Sequence, residues 1–146
     1  MPKFGVTHES GDLRRVLVHH PGNELELANK DPITHHFECA VDIKRFQRDH
    51  RMLMDALTEA GVEVLDVGTL VSDHPKISKQ IASAPNLVFT RDSSTVTEVG
   101  AILFRMGLPS RRVETPIIKA ATRSPGLPSP TSFTNQKPLR AEALHS

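Results

Sequence analysis

An amphipathic stretch in the first half of the chain sets the terms for its folding. From Ala40 onward, Ile43, Phe46, His50, Leu53, Leu57 and Ala60 recur at alternating steps of three and four, so they share one helix face. Arg45, Arg48, Arg51, Asp55 and Glu59 fall mostly on the other side. Gly61 follows where a left-handed residue closes a helix. Short apolar runs flank this stretch, Val16-Leu17-Val18 ahead of Pro21-Gly22 on one side and Val62, Val64 and Leu65 on the other, and both read as strands. Residues 23–36 show no period and read as a loop. The sum is a strand, loop, helix, strand unit, which points to an α/β layer.

Downstream, residues 71–84 read as a brief connection with one helical turn around 77–81. Residues 87–90, 94–97 and 101–104 read as three strands, the last two joined through Glu98-Val99-Gly100. Thr115-Pro116 offers an N-cap followed by proline at the first helical position, which predicts a helix from Pro116 to about Thr122. Beyond Arg123 the character changes, with Pro125, Pro128, Pro130 and Pro138 among Ser and Thr and few large apolar residues. Such a segment buries too little surface to offset its ordering entropy. The expected division is a domain over 1–122 and a disordered tail over 123–146.

A chain of 146 residues with 38% hydrophobic content supports one domain with a lean core; six Phe are its only large aromatics. Net charge of +1 gives no field that would draw nucleic acid or an anionic membrane surface. Cys39 is the single cysteine, so no intrachain disulfide exists and a reducing compartment is expected. Met1-Pro2-Lys3-Phe4-Gly5 has no apolar core of the export-signal kind, and no segment approaches membrane-spanning length, so the expectation is a cytoplasmic protein. His19-His20 and His35-His36 are adjacent pairs whose side chains point to opposite faces on a strand. Neither has zinc-ligand spacing, and no metal or cofactor is expected.

The run Pro85-Asn86-Leu87-Val88-Phe89-Thr90-Arg91-Asp92 gathers an amide, an aromatic ring, a fixed cation and a carboxylate. A guanidinium is best held by a carboxylate accepting two parallel N–H bonds, with a ring stacked on its face. Asp92 and Phe89 are the right types. The plainer reading is a buried strand, Leu87-Val88-Phe89, with Thr90-Arg91-Asp92 as its polar exit, and residue types alone favour it. Asn86, Phe89 and Asp92 lie three apart, whereas strand side chains alternate every two, so at least one leaves any regular strand.

This run resembles the Pro-Asn-aliphatic-x-Phe-Thr-Arg-Asp motif of the arginine deiminase and amidinotransferase family. Three further stretches are similar to that family in order. They are Gly5-Val6 with Glu9-Ser10-Gly11 and residues 13–22; residues 37–67, with Arg48-Asp49-His50 and residues 60–65; and Arg105-Met106 with Leu108-Pro109-Ser110-Arg111-Arg112-Val113-Glu114-Thr115. The resemblance covers about residues 4–122. It implies an incomplete α/β propeller of the pentein kind, with about two of five strand-strand-helix-strand units, whose open sheet edges favour self-association.

The resemblance also implies roles. Asp92 would grip the guanidinium of arginine or a related small molecule as part of the catalytic site, Phe89 would pack against it, and Asn86 and Arg111 would hold its α-carboxylate. Residue type alone leaves Arg111 equally a surface ion-pair partner. The family's chemistry uses a thiolate that attacks the guanidino carbon and a histidine that moves protons, and nothing after Thr122 resembles either. Cys39 falls where the family has the second acid of a Phe-Asp-Asp segment, and it reads as a buried structural cysteine. His35-His36 stand where the family tends to have leucines. The expectation is a truncated arginine deiminase-like protein, inactive alone; the alternative is a noncatalytic guanidinium-binding fragment or a degraded gene product.

Overall fold

The computed structural model describes residues 5–6, 8, 10–98, 100–124, 127 and 130–131, and its architecture is mixed α/β. Strand β1 (Arg15–Val18) pairs in parallel with β2 (Glu63–Asp66), in the register Arg15 with Glu63 and Val18 with Asp66. Arg15 and Glu63 also join through their side chains. Parallel neighbours need a crossover. Here it contains two helices, α1 (Leu25–Lys30) and α2 (Ile43–Glu59), so the expected loop over 23–36 is corrected. Six residues are too few to display a period, yet Leu25 and Ala28 are fully buried, and Glu26 and Lys30 sit at the ends that the helix dipole favours. Ahead of α1, buried His19 donates through Nε2 to Glu24 Oε1 at 2.9 Å, and the Gly22 N–H donates to the same oxygen at 2.7 Å. Burial pushes the Glu24 carboxyl up, but these bonds outweigh it and hold the pKa below its ordinary value.

Helix α2 has well-formed ends. Asp42 accepts from the Arg45 N–H at 3.0 Å. At the other end Gly61 (φ +80°) donates to Thr58 O at 2.9 Å and Val62 to Leu57 O at 3.0 Å, the bond pair of a Schellman motif. The apolar face predicted from the sequence is only partly covered. Ile43, Phe46, His50 and Leu57 are half-buried, Leu53 and Ala60 are exposed, and no α2 residue is fully buried.

The core lies instead where residues 67–87, which take in the stretch read as a brief connection, meet a later helix. Helices α3 (Val67–Leu70) and α4 (Pro75–Ile81) pack against α6 (Glu114–Ala121), burying Val67, Val71, Ala84, Leu87, Ile117, Ile118 and Ala121. Leu17 of β1 and Leu103 border this cluster. Asp66 caps α3 by accepting from the Thr69 N–H at 2.9 Å, and Pro75 opens α4 where its missing N–H costs nothing. Helix α6 begins at Glu114, two residues before the expected start. Thr115 does not cap it, because its hydroxyl donates to Phe104 O at 2.8 Å. Pro116 is tolerated in the first turn, where N–H groups have no partner in any case.

The expected strand over 87–90 is also corrected. Residues 85–88 form turns and Thr90–Ser93 a short helix, α5. Bonds of three-residue span follow one another, Leu87 N–H to Ala84 O, Phe89 to Asn86 and Asp92 to Phe89, each at 3.0 Å. That turn sequence inserts Leu87 into the core, and the Thr90 hydroxyl donates to Leu17 O at 3.0 Å, so this segment meets β1 through a side chain and not through a strand ladder. Strands β3 (Ser94–Thr97) and β4 (Gly100–Leu103) form the expected antiparallel pair. Short β5 (Pro130–Thr131) adds to β4 in parallel, inside the region expected to be a tail. Proline there suits an edge strand, which need not donate on its outer side. Of that tail, residues 125–126, 128–129 and 132–146 lie outside the described residues.

Helix α2 also makes polar contacts with His20, just after β1. His20 Nδ1 approaches His50 Nδ1 to 3.4 Å, Arg51 Nη2 reaches His20 Nε2 at 3.2 Å, and the His20 N–H donates to Asp66 Oδ1 at 2.8 Å. Burial lowers both histidine pKa values; Arg51 adds to the effect at His20 and His20 adds to it at His50. A histidine with a depressed folded pKa takes up its proton more readily when the chain is unfolded. Stability is therefore full above about pH 6.5 and falls as pH drops through that value toward the lower folded pKa. Thermal unfolding should show a lower Tm at pH 5.5 than at pH 7.5, with the slope reduced in His20→Gln/His50→Gln. An unchanged slope in that double variant contradicts the assignment.

Candidate guanidinium site

Three segments meet at Arg111. Asp92 belongs to α5, Arg111 ends a 3-10 turn (Pro109–Arg111), and Glu114 starts α6. The three-residue step from Arg111 to Glu114 across tight helical turns puts both side chains on one side. Arg111 donates from Nε to Glu114 Oε1 at 2.7 Å and from Nη2 to Glu114 Oε2 at 2.9 Å, a bidentate fork, and from Nη1 to Asp92 Oδ2 at 2.8 Å. Buried Ser93 donates to Glu114 Oε2 at 2.7 Å. The Glu114 side chain is 1% exposed and that of Arg111 11%, whereas that of Asp92 is 51% exposed. Burial opposes the charge on Arg111, but the hydrogen bonds to Glu114 and Asp92 outweigh it and raise its pKa above the ordinary value. Arg111 is thus an ion-pair partner, as the plainer alternative has it, but a buried one and not one at the surface.

The other proposed contact residues sit nearby in sequence but in unlike surroundings. Phe89, at the entry to α5, is 45% exposed and shares a backbone bond with Asp92. Asn86 is buried, and its Nδ2 donates to His35 O at 3.0 Å, tying the 85–88 turns to the loop after α1. Next in that loop, His36 has a left-handed backbone (φ +59°), costly for a residue with a Cβ. Glu114 and Ser93 were not singled out by sequence reasoning. The signal available was the Arg-x-x-Glu spacing, which on a helix start brings a carboxylate back to a guanidinium.

Cys39 is exposed on the segment leading to α2, which corrects its reading as buried. Among the described residues, no three His, Cys, Asp or Glu side chains converge as a metal site, and no helix is long and apolar enough to cross a membrane. An open groove of ≈ 570 Å³ lined by Asp12, Leu13, Arg14, Leu57, Ala60 and Val62 contains none of Asn86, Phe89, Asp92 or Arg111.

Residues 71–129 match the family model described as arginine deiminase, and this span contains α4, α6, Asp92, Arg111 and Glu114. The chain is 35% identical over 78 residues to an arginine deiminase of Rhodococcus erythropolis, covering 51% of this chain and 19% of the relative. It is 33% identical over 82 residues to an arginine deiminase of Treponema denticola (56% and 20%), and 35% identical over 69 residues to one of Streptococcus pyogenes (47% and 17%). About half of the chain is thus similar to part of the arginine deiminases. The matches span about a fifth of the length of these arginine deiminases. Within the family segment, the Arg111 network is the buried polar feature that joins α5 to α6.

Cys39 lies ahead of that segment. As an exposed thiol it should react with DTNB in the native state at one equivalent per chain. Labelling that appears only after denaturant is added would contradict the assigned exposure.

Proposed function

We propose that these residues carry the guanidinium-gripping part of an arginine deiminase-like site and bind arginine or a related guanidino compound. The observation that supports this reading best is the state of Asp92: half exposed, in an arginine deiminase segment, it already accepts a guanidinium N–H, from Arg111, at 2.8 Å. Such a charged hydrogen bond contributes about 1.5–3 kcal/mol. Phe89, equally accessible, offers a ring face for the planar cation. In this reading Asn86 and Arg111 keep their present partners, His35 O for the one and Glu114 and Asp92 for the other, and offer their remaining N–H groups to the ligand's α-carboxylate, and the fold is part of an α/β propeller.

Chemistry on the guanidino carbon needs a thiolate with a base beside it. The sole cysteine of the 146 residues, Cys39, is exposed ahead of α2, on a different segment from Asp92. The reading for these residues is therefore confined to binding. Among the described residues β1 and β2 form a two-stranded sheet, and a sheet so small favours pairing with a second copy.

Titration of the chain with arginine, followed by amide NMR, tests the reading. Saturable shifts should centre on residues 86–92, Asp92→Asn should weaken binding about tenfold or more, and neither protein should release citrulline or ammonia. A folded chain whose spectrum does not respond to arginine would overturn the proposal.

A further inference from the structure

The Arg111 network holds two carboxylates against one guanidinium, and they are not equivalent. Glu114 is buried and takes the Nε–Nη2 edge of Arg111 through two parallel bonds, whereas Asp92 takes a single bond and stands half in solvent. A cation engaged along one edge by a buried carboxylate is already neutralised before it reaches anything else. Its remaining bond to Asp92 orients that carboxylate without cancelling its charge, so the negative charge in excess resides on Asp92, the member open to solvent. Ser93, fully buried, donates to Glu114 Oε2 and keeps the carboxylate plane from turning.

We propose that Glu114, held by Ser93, is a positioning residue for guanidinium recognition. It retains Arg111 as a charge-compensated, fixed donor so that Asp92 keeps its charge for an external guanidinium. The inference rests on the reading of Asp92 as the guanidinium-binding acid. Without the Glu114 charge, Arg111 has Asp92 as its only counter-ion among these groups, and the internal guanidinium competes with the external one for the same oxygens. Glu114→Gln keeps the shape and an acceptor oxygen but removes the charge. Ser93→Ala keeps both charges and releases the carboxylate plane.

The test uses the full chain and methylguanidinium chloride, a cation with no carboxylate of its own, in titrations read at the Asp92 amide and the Arg111 Nε–H resonance. Wild type should bind; Glu114→Gln should bind about tenfold more weakly or worse at an unchanged folded spectrum, with its Nε–H resonance displaced. Ser93→Ala should displace the same resonance and weaken binding by a smaller factor. A Glu114→Gln variant that binds within about twofold of wild type overturns the positioning role alone. Should that variant not fold, Ser93→Ala decides: an unmoved Nε–H resonance with unchanged affinity overturns the role. Wild type that binds neither methylguanidinium nor arginine overturns the binding function itself, and the positioning role with it.

Discussion

The guanidinium of Arg111, clasped from within by Glu114 and from the solvent side by Asp92, is the contact on which the second half of the molecule depends. Removing a guanidinium and a carboxylate from water costs several kcal/mol per ion, a cost met only where geometry and extra hydrogen bonds are good. Here a bidentate fork and a buried serine hydroxyl supply both. The arrangement is asymmetric in its consequences. With both partners present it fixes the start of α6 against the end of α5, and with Arg111 removed it leaves the buried Glu114 charge without a cation on the helix that also carries Ile117 and Ile118.

Residues 85–93 connect this network to everything else. Leu87 enters the core, Asn86 holds the loop after α1 through His35 O, the Thr90 hydroxyl takes the Leu17 carbonyl of β1, and Ser93 steadies Glu114. Phe89 and Asp92 are the members of this run left substantially open, together with Arg91. A segment anchored at four points can therefore present a ring and a carboxylate in a fixed relation, which is what recognition of a planar cation requires. Three-residue steps between Asn86, Phe89 and Asp92 are incompatible with a strand but natural for consecutive tight turns, each closed by a bond of three-residue span.

Much of the first half was legible in sequence because its signals are long or local: seventeen residues of periodicity in α2, a glycine where the chain must turn left-handed, and β-branched runs for β1 and β2. The core was not legible for the opposite reason. Helices α3 and α4 are four and seven residues long, too short for a period to accumulate, and their burial is decided by α6, more than thirty residues onward. At 87–90 the apolar run reads as a buried strand, yet only Leu87 is buried, Phe89 is exposed and the backbone turns, since composition does not say which side of a turn faces the core. In the candidate site, motif resemblance singled out Asp92 and Arg111. That they bind one another, and that Glu114 is their buried counterweight, depends on distances no linear spacing encodes.

A double-mutant cycle on Arg111 and Glu114, read by urea unfolding, tests the central claim most directly. Arg111→Met should cost about 3–5 kcal/mol because it strands the buried Glu114 charge, and Glu114→Leu somewhat less because Arg111 keeps Asp92. The double variant should lose at least about 2 kcal/mol less than the sum of the two, as coupled partners do. Single losses that add to within about 0.5 kcal/mol would mean the two side chains act independently, and the account built on their clasp would fail.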